Sequence, residues 1–136
     1  MATYNKFQSF VEAICEEKHN FASDEIKVAL CTAANAPVAT NSVLGDLTTV
    51  ANISNLDDIT PTVSSSSQTD GTYDLVLADL TMTASGAVGP FRYVVLYNDD
   101  APSDELICWY DYGSEVTLAS GDTFKLDFGT ELFSLT

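Results

Sequence analysis

Phe91-Arg92-Tyr93-Val94-Val95-Leu96-Tyr97 is the most apolar run in the chain and decides how the rest is read. Its nearly unbroken apolarity predicts a strand covered on both faces, or covered inside on one face and by a partner on the other. Arg92, the only arginine, interrupts it. A lone guanidinium there either pairs with an aspartate, within a subunit or across an interface, or stands as an ordinary exposed strand residue. Upstream, Gly86, Gly89 and Pro90 predict a turn; downstream, Asn98 to Glu105 form an acidic loop around Pro102. Leu106 to Tyr112 reads as the next strand, ended by Gly113. Val116 and Leu118, the turn Ser120-Gly121-Asp122, and Phe124, Leu126 and Phe128 then predict a hairpin. Leu132, Phe133 and Leu135 suggest a last short strand.

Toward the N-terminus, the tight-turn dipeptide Asp70-Gly71 precedes Tyr73, Leu75 and Leu77 on one strand face. Leu80, Met82 and Ala84 continue that strand past a bulge, and Ser64 to Ser67 read as a polar edge strand or loop. Residues 32–62 form a long Ala-, Asn- and Thr-rich connection with short strands near Leu47–Ile53. Ile26, Val28 and Leu30 alternate with Lys27, Ala29 and Cys31, as in a strand with one covered face. Only the first segment has a helical period: Phe7, Phe10, Val11 and Ile14 fall at i, i+3, i+4 and i+7 of a helix over about residues 4–18. Thr3 or Asn5 would cap it, and Lys18 and His19 would suit its negative end. Its aromatic face must dock on its own domain or on a neighbouring subunit. Short strands every eight to twelve residues predict a mainly β fold. The expected architecture is one domain over residues 1–136, an antiparallel β-sandwich or jelly roll with one N-terminal amphipathic helix.

The chain has 136 residues, 46% of them apolar, enough for a real core. Its formal charge is −15. Residues 1–31 hold three basic and five acidic groups, and residues 32–136 hold two and fifteen, so the β body carries most of the negative field. A chain with a single arginine lacks the basic footprint that nucleic acid requires, and an anionic membrane repels it. Such a surface keeps the domain soluble or steers it toward a basic partner. No run approaches the roughly 20 apolar residues of a membrane-spanning helix. Glu12, Glu16 and Glu17 interrupt any leader-like apolar stretch near the N-terminus. Asn52-Ile53-Ser54 matches a glycosylation acceptor, a chance match without secretion. Cys15, Cys31 and Cys108 show no C-x-x-C pairing and read as buried small hydrophobes of a reduced, intracellular protein.

Chemical motifs are few. His19 is the single histidine, so any triad must use it, yet its position suits a helix end. A closed zinc site wants four soft ligands in local pairs. Asp99, Asp100, Asp104 and Glu105 could seed a calcium loop but lack its D-x-[DN]-x-[DN]-G spacing. No phosphate-cradling glycine motif is present. The reading is of a protein without enzymatic activity, cofactor or metal. Trp109, Tyr110 and Tyr112 share a strand, with Trp109 on the opposite face from the tyrosines. One of those faces is core; the other suits a protein interface or a sugar platform.

Several strings together are similar to small proteins encoded in tailed-bacteriophage genomes. They begin with Tyr4-Asn5-Lys6-Phe7, Lys18-His19-Asn20-Phe21, the Asp24–Leu30 strand followed by Ala36-Pro37-Val38-Ala39-Thr40-Asn41, and Gly71-Thr72-Tyr73. Ser64 to Thr69, Gly89-Pro90-Phe91-Arg92-Tyr93, Leu96-Tyr97-Asn98-Asp99 and Trp109-Tyr110-Asp111-Tyr112-Gly113 continue the likeness. It spans nearly the whole chain except residues 45–62, and Cys108 stands where it leads one to expect a glycine. The resemblance implies a virion structural protein made in the bacterial cytoplasm, similar to the capsid decoration or cement proteins that bridge capsomers. It implies the major capsid protein and further copies of the chain, as a trimer, as partners. Phe7, Phe10, Val11, Ile14, Phe91, Arg92, Tyr93 and Trp109 are the expected contact residues. A tail, neck or fibre-associated subunit and a virion-surface carbohydrate-binding module are the alternatives.

Overall fold

The computed structural model describes residues 2–136, a mainly β fold with one short helix near the N-terminus. The elements are β1 (Thr3–Lys6), α1 (Ser9–Cys15), β2 (Ile26–Cys31), β3 (Val63–Thr69), β4 (Thr72–Leu77) and β5 (Leu80–Thr83), then β6 (Val88–Asn98), β7 (Leu106–Leu118), β8 (Thr123–Leu126) and β9 (Phe133–Leu135). All pairings are antiparallel. They build a four-stranded sheet β1-β7-β6-β2, a three-stranded sheet β3-β4-β9 and a two-stranded sheet β5-β8.

The apolar run sits in β6, hydrogen-bonded to β2 on one side and β7 on the other. From Val94 to Asn98 both of its faces are dry. Val94 and Leu96, with Val28, Leu30 and Cys108, join Leu75, Leu77, Met82, Leu126 and Phe128 of the smaller sheets and the segments beside them in the larger core cluster. Val95 and Tyr97, with Ala29, Cys31, Leu106 and Trp109, face the other way into a second cluster. The chain provides that cover itself: Phe7 fills the centre, its ring centroid 4.5 Å from that of Trp109, and Ala39, Leu44 and Leu47 of the long connection close over it. Backbone bonds from Gln8 N to Ala39 O, Leu44 N to Asp104 O and Leu106 N to Ser42 O tie the connection down.

This double cover accounts for the departures from the expected elements. β2 is buried on both faces rather than one, because the connection lies over Ala29 and Cys31. The connection holds short 3-10 turns at Leu44–Asp46 and Ala51–Asn55, not strands over Leu47–Ile53. The helix spans only Ser9–Cys15 instead of about 4–18. Tyr4 to Lys6 pair with Tyr110 to Cys108 of β7, whose open edge offers ladder bonds that a helix turn would forgo. The apparent helical period therefore straddles two elements. Phe7 enters the second cluster, whereas Phe10 of α1 enters the first.

Elsewhere, Asp70-Gly71 makes the expected two-residue hairpin turn, both residues at positive φ (52° and 84°). The serines form a polar edge strand, β3. Gly89, at φ +104°, lies inside β6 rather than in a turn before it; an added Cβ would meet Val116 O at 2.7 Å. β7 passes through Gly113 instead of ending there. β5 leaves the β4 sheet and pairs with β8, so the expected hairpin between β7 and β8 is an open corner instead.

Two outcomes follow from the packing. Trp109→Ala is expected to destabilise the fold by about 3–5 kcal/mol in chemical denaturation, while Tyr112→Ala stays within roughly 1 kcal/mol of the parent. Removing residues 1–20 strips β7 of β1 and both clusters of a phenylalanine, so the truncated chain should lose its cooperative thermal transition and aggregate. A soluble, folded monomer of that truncation would contradict the packing.

Candidate interaction surface

Of the expected contact residues, Phe7, Phe10, Phe91 and Trp109 are buried within the chain and present no ring to a partner. Their sequence signal was apolarity, which marks core as readily as interface. Val11 is exposed, and Ile14, Arg92 and Tyr93 are half-buried. The Arg92 guanidinium is committed within the chain: Nε donates to Asp111 Oδ1 at 2.8 Å and Nη2 to Asp111 Oδ2 at 3.1 Å. Its Cζ lies 5.4 Å from the Tyr93 ring centroid, within cation–π range. The Arg92 pairing lowers the Asp111 pKa below the usual carboxylate value, and a bond from Gly113 N to Oδ1 acts in the same direction.

The open aromatic surface lies on the other face of β7. Trp109 and Tyr110 diverge as alternation requires, and Tyr110 turns toward the space between β7 and β8. No ladder joins these two strands, so the core between the sheets reaches the surface there as a cleft of about 490 Å³. Tyr4 stands across from Tyr110, ring centroids 5.5 Å apart and edge-on. Phe128 follows at 6.4 Å from Tyr110, and Tyr112 packs on Phe124 at 5.6 Å. Tyr4 and Tyr112 are 37% and 47% exposed, two of the five large apolar side chains that reach the surface among the described residues. Burial raises the phenol pKa values of Tyr4 and Tyr110 well above the tyrosine norm, and the neighbouring Cys108 adds to this. Both rings therefore remain neutral across physiological pH. Asp127 and Glu131 lie on the lining, and Lys125, also on it, holds Asp79 at 3.4 Å. Tyr4 could not be placed here from sequence, because its segment has a helical period.

A second, shallower hollow of about 900 Å³ contains His19, which stacks on Phe21 with centroids 5.0 Å apart and planes 16° off parallel. Its bonding follows from Asn98, the one fully buried polar side chain among the described residues. Asn98 Oδ1 accepts from Asp100 N at 3.0 Å and Ala101 N at 3.2 Å, which fixes the amide orientation. Asn98 Nδ2 then donates to Asp24 Oδ2 at 2.7 Å and to His19 Nδ1 at 3.0 Å. The imidazole proton consequently sits on Nε2, which is buried without a protein partner. A catalytic triad needs the opposite tautomer, with Nδ1–H held by the carboxylate.

The acidic loop is also committed internally. Asp99 pairs with Lys27 at 2.9 Å, Asp100 accepts from Glu25 N, and Glu105 accepts from Ser103 N. Among the described residues no group of three or more His, Cys, Asp or Glu side chains is arranged to hold a metal ion. Asn52 braces the strand start: its Oδ1 accepts from Gly89 N and its Nδ2 donates to Gly89 O. Cys31 and Cys108 are buried free thiols; burial pushes Cys31 up to about 11 and raises Cys108 further. Cys15 is free and exposed, contrary to its expected burial. Compared with models of known families, with curated proteins and with solved structures, the chain matches none.

Burial lowers the His19 pKa, against opposing pulls from Glu105 and Asp24. A lowered folded pKa means that the folded state binds protons less readily than the unfolded chain. The stability from neutral His19 is therefore complete above about pH 6.5 and falls as pH drops through and below that value. Denaturation midpoints should decline as pH falls from about 6.5 toward 5. His19→Asn keeps an acceptor for Asn98 Nδ2 but cannot titrate, and should flatten the decline; an unchanged slope would refute this assignment.

Proposed function

We propose that the chain is a structural subunit of a tailed-bacteriophage particle, specifically a capsid decoration protein that binds the outer shell and stabilises contacts between capsomers. One structural observation carries this reading: exposed Tyr4 and Tyr112 share an open aromatic cleft on a strongly acidic β body, while the histidine and the carboxylates of Asp99, Asp100 and Glu105 are engaged in the chain's own bonds. Such a surface suits an anchor for another macromolecule. The near whole-chain resemblance supplies the identity of that macromolecule, the major capsid protein. In the same reading the chain is made in the bacterial cytoplasm, associates with itself as a trimer and resides on the capsid surface. The three sheets are read as a β-sandwich, the four-stranded sheet forming one layer and the two smaller sheets the other, with the larger apolar cluster between them.

Cementing suits such a subunit because weak binding is repeated over a lattice, so each copy contributes little and the shell gains the sum. A tail or neck subunit would need the same rigid scaffold but would occur at the stoichiometry of a single ring. Quantitative mass spectrometry of purified particles distinguishes the two. A copy number comparable to that of the major capsid protein is expected, and a handful per particle would refute decoration.

A further inference from the structure

We propose that the tyrosine cleft between β7 and β8 is a socket for an arginine side chain presented by the shell partner. The partner's identity rests on the decoration reading; the socket's preference for a guanidinium rests on its own walls. Tyr4, Tyr110 and Tyr112 line one opening and offer it electron-rich ring faces, with Phe124 and Phe128 beside them. Aromatic faces attract a planar cation, and a guanidinium stacks on them while its N–H groups remain free for acceptors. Acceptors are present. Asp127 and Glu131 are both on the lining; Asp127 Oδ1 accepts from Gly129 N at 2.9 Å and Glu131 Oε2 from Thr130 Oγ1, which leaves each carboxylate a second oxygen for a guest.

Charge selects the guest. The cation on the lining, Lys125, is paired with Asp79, leaving Asp127 and Glu131 without a basic partner among the described residues. With the chain at −15, the cleft repels anionic guests, and an aliphatic guest would desolvate carboxylates without compensating them. A neutral sugar satisfies the rings and some acceptors but leaves the charge unmatched. A basic side chain meets both requirements, and the field of the β body steers it there. The volume of about 490 Å³ admits one long side chain and part of the backbone that carries it.

The test uses the full chain labelled with 15N and titrated with acetyl-Gly-Arg-Gly-amide. Parallel titrations use acetyl-Gly-Gln-Gly-amide and N-acetylglucosamine. Saturable amide shifts centred on Tyr112, Asp127 and Gly129 are expected with the arginine peptide alone. Added salt should weaken them, and Asp127→Asn should weaken binding by about fivefold. The exposed position of Tyr112 lets Tyr112→Ala serve as a second variant, expected to lose the shifts while keeping the folded spectrum. Absence of shifts with the arginine peptide, or equal shifts with the glutamine peptide, overturns the proposal. Shifts with N-acetylglucosamine alone would replace it with the sugar-platform reading.

Co-sedimentation with shells lacking the protein separates this inference from the decoration reading. If parent chain and Asp127→Asn sediment equally, the socket is not the shell contact and decoration stands. If neither sediments while the arginine peptide still binds, the socket stands and decoration falls.

Discussion

A strand with two dry faces requires two covers, and β6 is such a strand from Val94 to Asn98. On one side the smaller sheets supply the cover; on the other, Phe7 and the long connection supply it. Each fully buried aliphatic or aromatic side chain contributes on the order of 1.5–3 kcal/mol, so neither cover is dispensable in a domain of this size. The second cover also explains the route of the chain. β1 must run along β7 to place Phe7 over Trp109, and the connection must cross back over β2 and the β6–β7 loop to close above them. The acidic loop is thereby drawn into the architecture, its backbone bonded to Ser42–Leu44 on one side and to the Asn98 hub on the other.

Local patterns were legible in the amino-acid sequence where the signal is itself local. The apolar run of β6, the presence of a strand at β2 and the Asp70-Gly71 turn require no knowledge of distant partners. Pairings across long separations left little trace. Nothing near Leu80 announces Leu126, and nothing near Tyr4 announces Tyr110. The connection was opaque for another reason. Ala39, Leu44 and Leu47 are scattered among polar and small residues, so their joint role as a lid has no period. The contact surface was legible only in part: alternation separated Trp109 from Tyr110 and Tyr112, but with both faces covered it could not say where the cover ends.

The polar groups follow a related economy. Asn98 satisfies its amide through two backbone donors, a carboxylate and an imidazole, and so fastens the segment after α1 to the end of β6. Asp111 does the same at the middle of β7, receiving both Arg92 and the amide of Gly113 where the strand turns through a left-handed residue. Asp99 and Asp100 hold Lys27 and the Glu25 amide, joining the loop to the start of β2. A highly acidic chain thus spends several carboxylates as backbone acceptors and ion-pair members. Each of these carboxylates keeps its charge; the bonds offset the mutual repulsion without removing it.

The missing ladder between β7 and β8 has a mechanical meaning. Strands bonded edge to edge resist separation through every rung, whereas these two meet through side-chain packing such as Tyr112 on Phe124 and through the turn between Ala119 and Asp122. The gap is therefore the compliant seam of an otherwise stiff body. A guest wedged into it would bend the β5–β8 pair outward at the expense of dispersion contacts, with no rung to break, and the frame around β6 would keep its shape.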